Sequence, residues 1–113
     1  MGVYEVLYEA ITKHHSLRVM YKGHERLISP HKLGTKQETG EDGKPYPHRN
    51  VFVYQFGGYS SKIIKPDGSK DNWRCWYVED ITGISVLAEE RWHTSHEYAA
   101  GVNHCIDSIH IEA

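Results

Sequence analysis

Apolar residues Val3, Val6, Leu7, Ala10 and Ile11 recur at the i, i+3, i+4, i+7, i+8 spacing of one helical face, which predicts a helix over 2–15. Lys13, His14 and His15 suit the negative end of its dipole. After Ser16 the period drops to two. Leu17, Val19 and Tyr21 alternate with Arg18 and Met20, which predicts a strand over about 17–22. "KGHE" supplies a glycine turn, and a second strand returns over about 25–30 until Pro30, which has no N–H to give a ladder.

The next stretch, "GTKQETGEDGKPYPHR" at 34–49, offers a core nothing but Tyr46, and its glycines, prolines and charges predict a long loop or a hairpin tip. "NVFVYQF" predicts a third strand over about 50–56. Val51, Val53 and Gln55 face one way and Phe52, Tyr54 and Phe56 the other, so the strand has no polar face and belongs inside a sheet. "GGYSSKIIKPDGSKDN" reads as loop. "WRCWYVEDI" predicts a fourth strand over about 73–79, and Thr82-Gly83 turns it into a fifth over about 83–88. In the tail, 89–113, Val102, Ile106, Ile109 and Ala113 fit a helix, whereas Ile109 and Ile111 about His110 fit a strand; a C-terminal helix or tail is the expectation. One helix ahead of short strands at hairpin spacing predicts a mainly β, α+β fold, a small barrel or strongly bent sheet.

A length of 113 residues predicts a single domain over 1–113. Thirteen Lys and Arg against fifteen Asp and Glu give a net charge of −2, so any nucleic-acid site must be a local patch. No apolar run reaches the roughly 20 residues of a membrane span, and the N-terminus lacks a leader pattern. A cytoplasmic chain without a membrane partner is expected, with Cys75 and Cys105 reduced and buried rather than bridged. Nine histidines raise the question of metal. In "HTSHE", His93 and His96 would share a helical face with Glu90 or Glu97, but this is not the HExxH arrangement, and two ligands fall short of a closed site. Solvated histidines are the simpler account, with His93 and His96 kept as the metal alternative. No Gly-flanked nucleophile serine or phosphate-loop signature occurs, and adjacent Glu79 and Asp80 on a strand would point to opposite faces, so neither an enzyme nor a cofactor is expected.

Three ingredients of a binding site remain. Gly57 and Gly58 free the backbone to turn, and amides beside Ser60 and Ser61, with Lys62 or Lys65, would cradle an anion; the alternative is an ordinary Gly-Ser connection. Arginines at 18, 26, 49 and 74 are the second ingredient. Arg18 and Arg74 fall mid-strand among large apolar side chains, so each needs a partner, either an internal carboxylate such as Glu79 or Asp80 or a ligand's phosphate or carboxylate. The third is aromatic. Tyr21, Tyr54, Tyr59, Trp73, Trp76 and Tyr77 can build a core or stack bases, and Tyr59, in the loop, is the best candidate for a free ring.

The order "AITKHHSLRVMYKGHERLISPHKLG", "VYQFGGYSS", "WRCWYVEDITGISVL" resembles stand-alone members of the WYL-domain family, from about Tyr8 to Leu87 and more faintly from Tyr98 to Ala113. Pro30-His31 with Gly34, Tyr54-Gln55, Gly58 with Ser60, and Trp73-Arg74 carry it. The resemblance implies a five-stranded Sm-like or SH3-like barrel behind the helix, and a regulatory module that binds nucleotide-like ligands or single-stranded nucleic acid. On it, the ligand-binding set is Arg74, Ser60, Ser61, Lys62, Tyr54, Gln55, Tyr59, His31 and Arg18. Tyr77 and Asp80 stand where the larger family has two arginines, which favours a second expectation, a protein-interaction or homodimer module without a pocket.

Overall fold

The computed structural model describes residues 2–97 and 105–113. Helix α1 (Val3–Lys13) is followed by β1 (Leu17–Tyr21), β2 (His24–Thr39), β3 (Pro45–Gly58), a 3-10 turn (Lys70–Asn72), β4 (Trp73–Tyr77), a second 3-10 turn (Val78–Asp80), β5 (Ile81–Val86) and β6 (Ser108–Glu112). The helix stops where His14 enters the left-handed region at φ 56, and the His15 amide closes back on the Ala10 carbonyl at 2.8 Å. It buries Leu7, Ala10 and Ile11, and it packs on β2, β5 and β6. Leu17, Val19, Ile28, Leu33, Val51 and Val53 meet it from the sheet, and each of these aliphatic side chains contributes roughly 1.5–3 kcal/mol by leaving water.

The sheet runs β4-β3-β2-β1-β5, every pairing antiparallel, with β6 added to β2. At 16 residues, β2 is long enough to hold β1 along 24–28 and β6 along 32–35 on one edge, with β3 on the other. β3 therefore lies inside the sheet, and it is buried on both faces from Asn50 to Gln55.

Four expectations need correction. The sheet does not close into a barrel. Closure needs a ladder between the terminal strands, and β4 and β5 exchange none, because the three residues between them, Val78–Asp80, form a 3-10 turn that carries the chain around the opening. The curl is still tight enough for Tyr21 of β1 to stack on Trp76 of β4 at 4.3 Å. A sixth strand also replaces the C-terminal helix: the two-residue alternation of Ile109 and Ile111 wins, and Lys32–Thr35 supplies the open edge it needs. Val102 lies outside the described residues. Of the two expectations for 34–49, a long loop or a hairpin tip, the hairpin holds: it is a two-stranded ribbon, with Thr35 opposite Arg49 and Thr39 opposite Pro45, closed by a turn at Gly40–Lys44 in which Gly43 has φ 77. Backbone pairing suffices there without core side chains. Pro30 sits within β2 because the register shifts between Pro30 and Lys32, making His31 an extra, bulged residue.

Finally, Cys75 and Cys105 are bonded to each other, with Cα atoms 6.4 Å apart, and Cys75 is exposed rather than buried. The bridge ties the outer strand β4 to the start of the segment that becomes β6. Among the described residues no helix is long and apolar enough to cross a membrane.

Candidate anion-binding site

Tyr54 and Gln55 are fully buried on β3 and fix the loop that follows it. Gln55 Nε2 donates to the carbonyls of Gly57 (3.0 Å) and Tyr59 (2.6 Å). The Tyr54 hydroxyl accepts from the Gly68 amide (2.7 Å) and from Asn72 Nδ2 (3.2 Å). Asn72 also takes the Lys65 amide and donates to the Lys65 carbonyl, so one buried amide side chain staples both ends of the 65–72 turn. Gly58 is needed where it stands. It has φ 79, and a Cβ there would meet the Glu25 carbonyl at 2.5 Å.

This scaffold holds Tyr59 and Ser60 over the start of β2. Tyr59 is about half exposed, stacked on His24 at 3.8 Å, with the Arg26 guanidinium 5.1 Å from its ring centre. Arg26 also packs on Tyr21 (5.3 Å) and Trp76 (5.4 Å), which makes a cationic centre in an aromatic cup. It is 8 % exposed, and its Nε is buried with no hydrogen-bond partner. Arg74 reaches in from β4: Nη2 donates to Ser60 Oγ at 3.3 Å, while Nη1 is held by the carbonyls of Asp71 (2.7 Å) and Trp73 (3.0 Å). Burial, with the Arg26 cation beside it, holds Arg74 below the ordinary guanidinium value. Among the described residues neither arginine forms an ion pair. Two guanidiniums without a carboxylate repel one another, and an anion between them would relieve that cost.

Of the residues expected from sequence, Arg74, Ser60 and Tyr59 come together, with Tyr54 and Gln55 beneath them as supports. Ser61 and Lys62 are exposed on the same loop. The backbone cradle is partly spent, since the Tyr59 amide donates to the Glu25 carbonyl (2.8 Å) and the Lys62 amide to Ser60 Oγ (3.3 Å). Arg18 is exposed and lies 3.9 Å from Glu25 across the hairpin, so its charge is answered there. His31 is wholly buried. Its Nδ1 is 2.8 Å from the Ser29 carbonyl and its Nε2 3.0 Å from Thr94 Oγ1, and its ring lies between Trp92 (4.0 Å, stacked) and Trp73 (4.7 Å, edge-on). Burial pushes its pKa down to about 3, against a backbone carbonyl that favours the charged form, with His14 and Lys32 adding to the depression. It braces the fold and does not reach the arginines' loop through any of these contacts.

Arg26 was among the arginines noted in the sequence but not singled out. The signal for it is register: Arg26 pairs with Gly58 across β2 and β3, and Gly58 begins the loop. The "HTSHE" segment is not helical, so His93 and His96 do not share a helical face. His93 instead lies between Asp67 Oδ1 (2.8 Å) and Glu90 Oε2 (2.9 Å), stacked on Phe56, and Arg91 also pairs with Asp67. Among the described residues no group of three metal-ligating side chains converges. Set against family models, curated proteins and solved structures, the chain finds no match, so kinship with the WYL family stays a resemblance.

Proposed function

We propose that this chain is a non-enzymatic binding module for an anionic ligand, a phosphate-bearing small molecule or single-stranded nucleic acid, taken up at Arg26, Arg74 and Ser60 beneath Tyr59. The observation that carries this reading is the pair of arginines with no carboxylate among the described residues, one of them with a buried, unpartnered Nε. Arg74 would supply the planar fork that grips a phosphate, Ser60 a hydroxyl donor, and Tyr59 a ring for a base or sugar to lie against. Keeping the reading non-enzymatic rests on the absent nucleophile and phosphate-loop signatures in the sequence. The disulfide suits an oxidising compartment better than the cytoplasm first expected.

The test is a fluorescence titration with pyrophosphate, mononucleotides and short single-stranded DNA and RNA. Trp76, packed on Arg26, is the reporter. Saturable quenching that weakens with salt and falls at least about tenfold in Arg74→Ala is the expected result. Absence of any saturable change with a folded sample overturns the reading.

A second reading, a protein-interaction or homodimer module, is favoured by β5. Among the described residues it ends the sheet with one edge unpaired, beside Val86, which is about half exposed. Concentration-dependent mass in light scattering, abolished by Ser85→Pro, would support it; a monomer at all concentrations would remove the homodimer form.

A further inference from the structure

Beside the Tyr21–Trp76 stack lies a cleft of about 300 Å³, lined by Lys22, Lys36, Glu38, Asn50 and Tyr77 around the Cys75–Cys105 bridge, with Tyr21 and Trp76 as its apolar wall. Its polar groups are unevenly satisfied. Glu38 is engaged: its charge holds the Tyr77 phenol above its ordinary pKa, and His48 Nε2 lies 2.9 Å away, though off the line of a hydrogen bond. Lys22 and Lys36 have no carboxylate partner among the described residues. Asn50 is 5 % exposed; its Nδ2 donates to the Cys105 carbonyl at 2.8 Å, while its Oδ1 is buried with no partner. A buried acceptor left open is destabilising, so a donor supplied from the cleft is favoured.

We propose that this cleft is a second binding site, for a small molecule of amino-acid or N-acyl amino-acid type. Its carboxylate meets Lys22 and Lys36, its N–H donates to Asn50 Oδ1, and its hydrocarbon part lies on Trp76. The volume is at the lower end for small-molecule sites, which suits a compound of this size. The site differs in chemistry from the arginine pair: it offers an orphan acceptor that a phosphate has nothing to satisfy.

The probe is N-acetylglycine, with acetate as the carboxylate that lacks the N–H, read by backbone amide shifts in two-dimensional NMR. Saturable shifts at Lys36, Asn50 and Cys75 are expected with N-acetylglycine. Acetate should bind about tenfold more weakly, and Asn50→Ala should weaken N-acetylglycine by about tenfold, the worth of one lost hydrogen bond at a buried group. Should Asn50→Ala fail to fold, having lost its hold on Cys105, Lys36→Gln gives the same test through the carboxylate. Arg74→Ala should leave N-acetylglycine binding unchanged, which separates this site from the anion site. Shifts that fail to saturate, that centre on Ser60 and Arg74, or that are equal for acetate would overturn the proposal and leave the Asn50 carbonyl to water.

Discussion

His31 shows how one residue converts a bulge into a stability switch. The shift of register at Pro30 and Lys32 turns its imidazole into a buried slot between two tryptophans, with a neutral oxygen at each ring nitrogen. Its folded pKa, about 3, is below the unfolded value near 6.5, so between these the unfolded chain binds the extra proton. Stability is therefore full above about pH 6.5 and falls on acidification by up to about 1.4 kcal/mol per pH unit. Urea unfolding at pH 7.5, 5.5 and 4.5 should show this slope in the native chain and a shallower one in His31→Gln, whose side chain does not titrate; parallel slopes would refute it. None of this was legible in the sequence, where His31 was one of nine histidines and its motif spoke for a ligand contact. Arg74 was more readable, because a guanidinium mid-strand among aromatics declares that it needs a partner. Which partner depends on strand order, and that placed Arg26 beside it.

At the scale of elements, the periods were legible and the pairings were not. The helix lies within a residue or two of its apolar stripe, and β1, β3 and β4 follow the two-residue alternation. At 34–49 a hairpin could not be told from a loop, because polar residues that form only backbone ladders leave no hydrophobic period, and β6 escaped because two isoleucines fit both a strand and a helix. What seats β6 is Gly34. A Cβ there would lie 2.0 Å from the Ser108 carbonyl oxygen and 2.6 Å from Ile106 Cγ2, contacts with backbone and a buried side chain that cannot simply turn away. Gly34→Ala should thus push β6 off β2 and cost at least about 2 kcal/mol, in the range of overpacked cores. Gly83→Ala is the control, since its Cβ would meet only the flexible Met20 side chain at 3.3 Å and should cost less than about 1 kcal/mol. Equal midpoints for the two variants in chemical denaturation would deny Gly34 this role.

For the molecule as a whole, charge and cross-linking each set a measurable limit. With a net charge of −2, no general field draws polyanions, and the arginine pair must act alone. Single-stranded DNA binding through about two phosphates should then fall with a slope of only about −1.4 in log affinity against log salt; a slope several times steeper would mean that a broad basic surface is engaged instead. The disulfide is the larger constraint. It joins residues 30 apart, linking β4, which carries Arg74, to the approach to β6, which no tight turn connects to the rest of the sheet. Closing a loop of that length restricts the unfolded chain by about 3–4 kcal/mol in the chain-entropy account. A domain of this size has only about 5–15 kcal/mol in hand, so the bridge supplies a large share of its stability. Reduction with a thiol, or Cys75→Ser with Cys105→Ser, should lower the unfolding free energy by that amount. The ladder of β6 on β2 and the Lys32–Glu112 pair at 3.3 Å remain to hold the tail, so the reduced chain should stay folded at 25 °C with a lower melting temperature. An unchanged melting temperature on reduction would show that the two thiols are not bonded in solution.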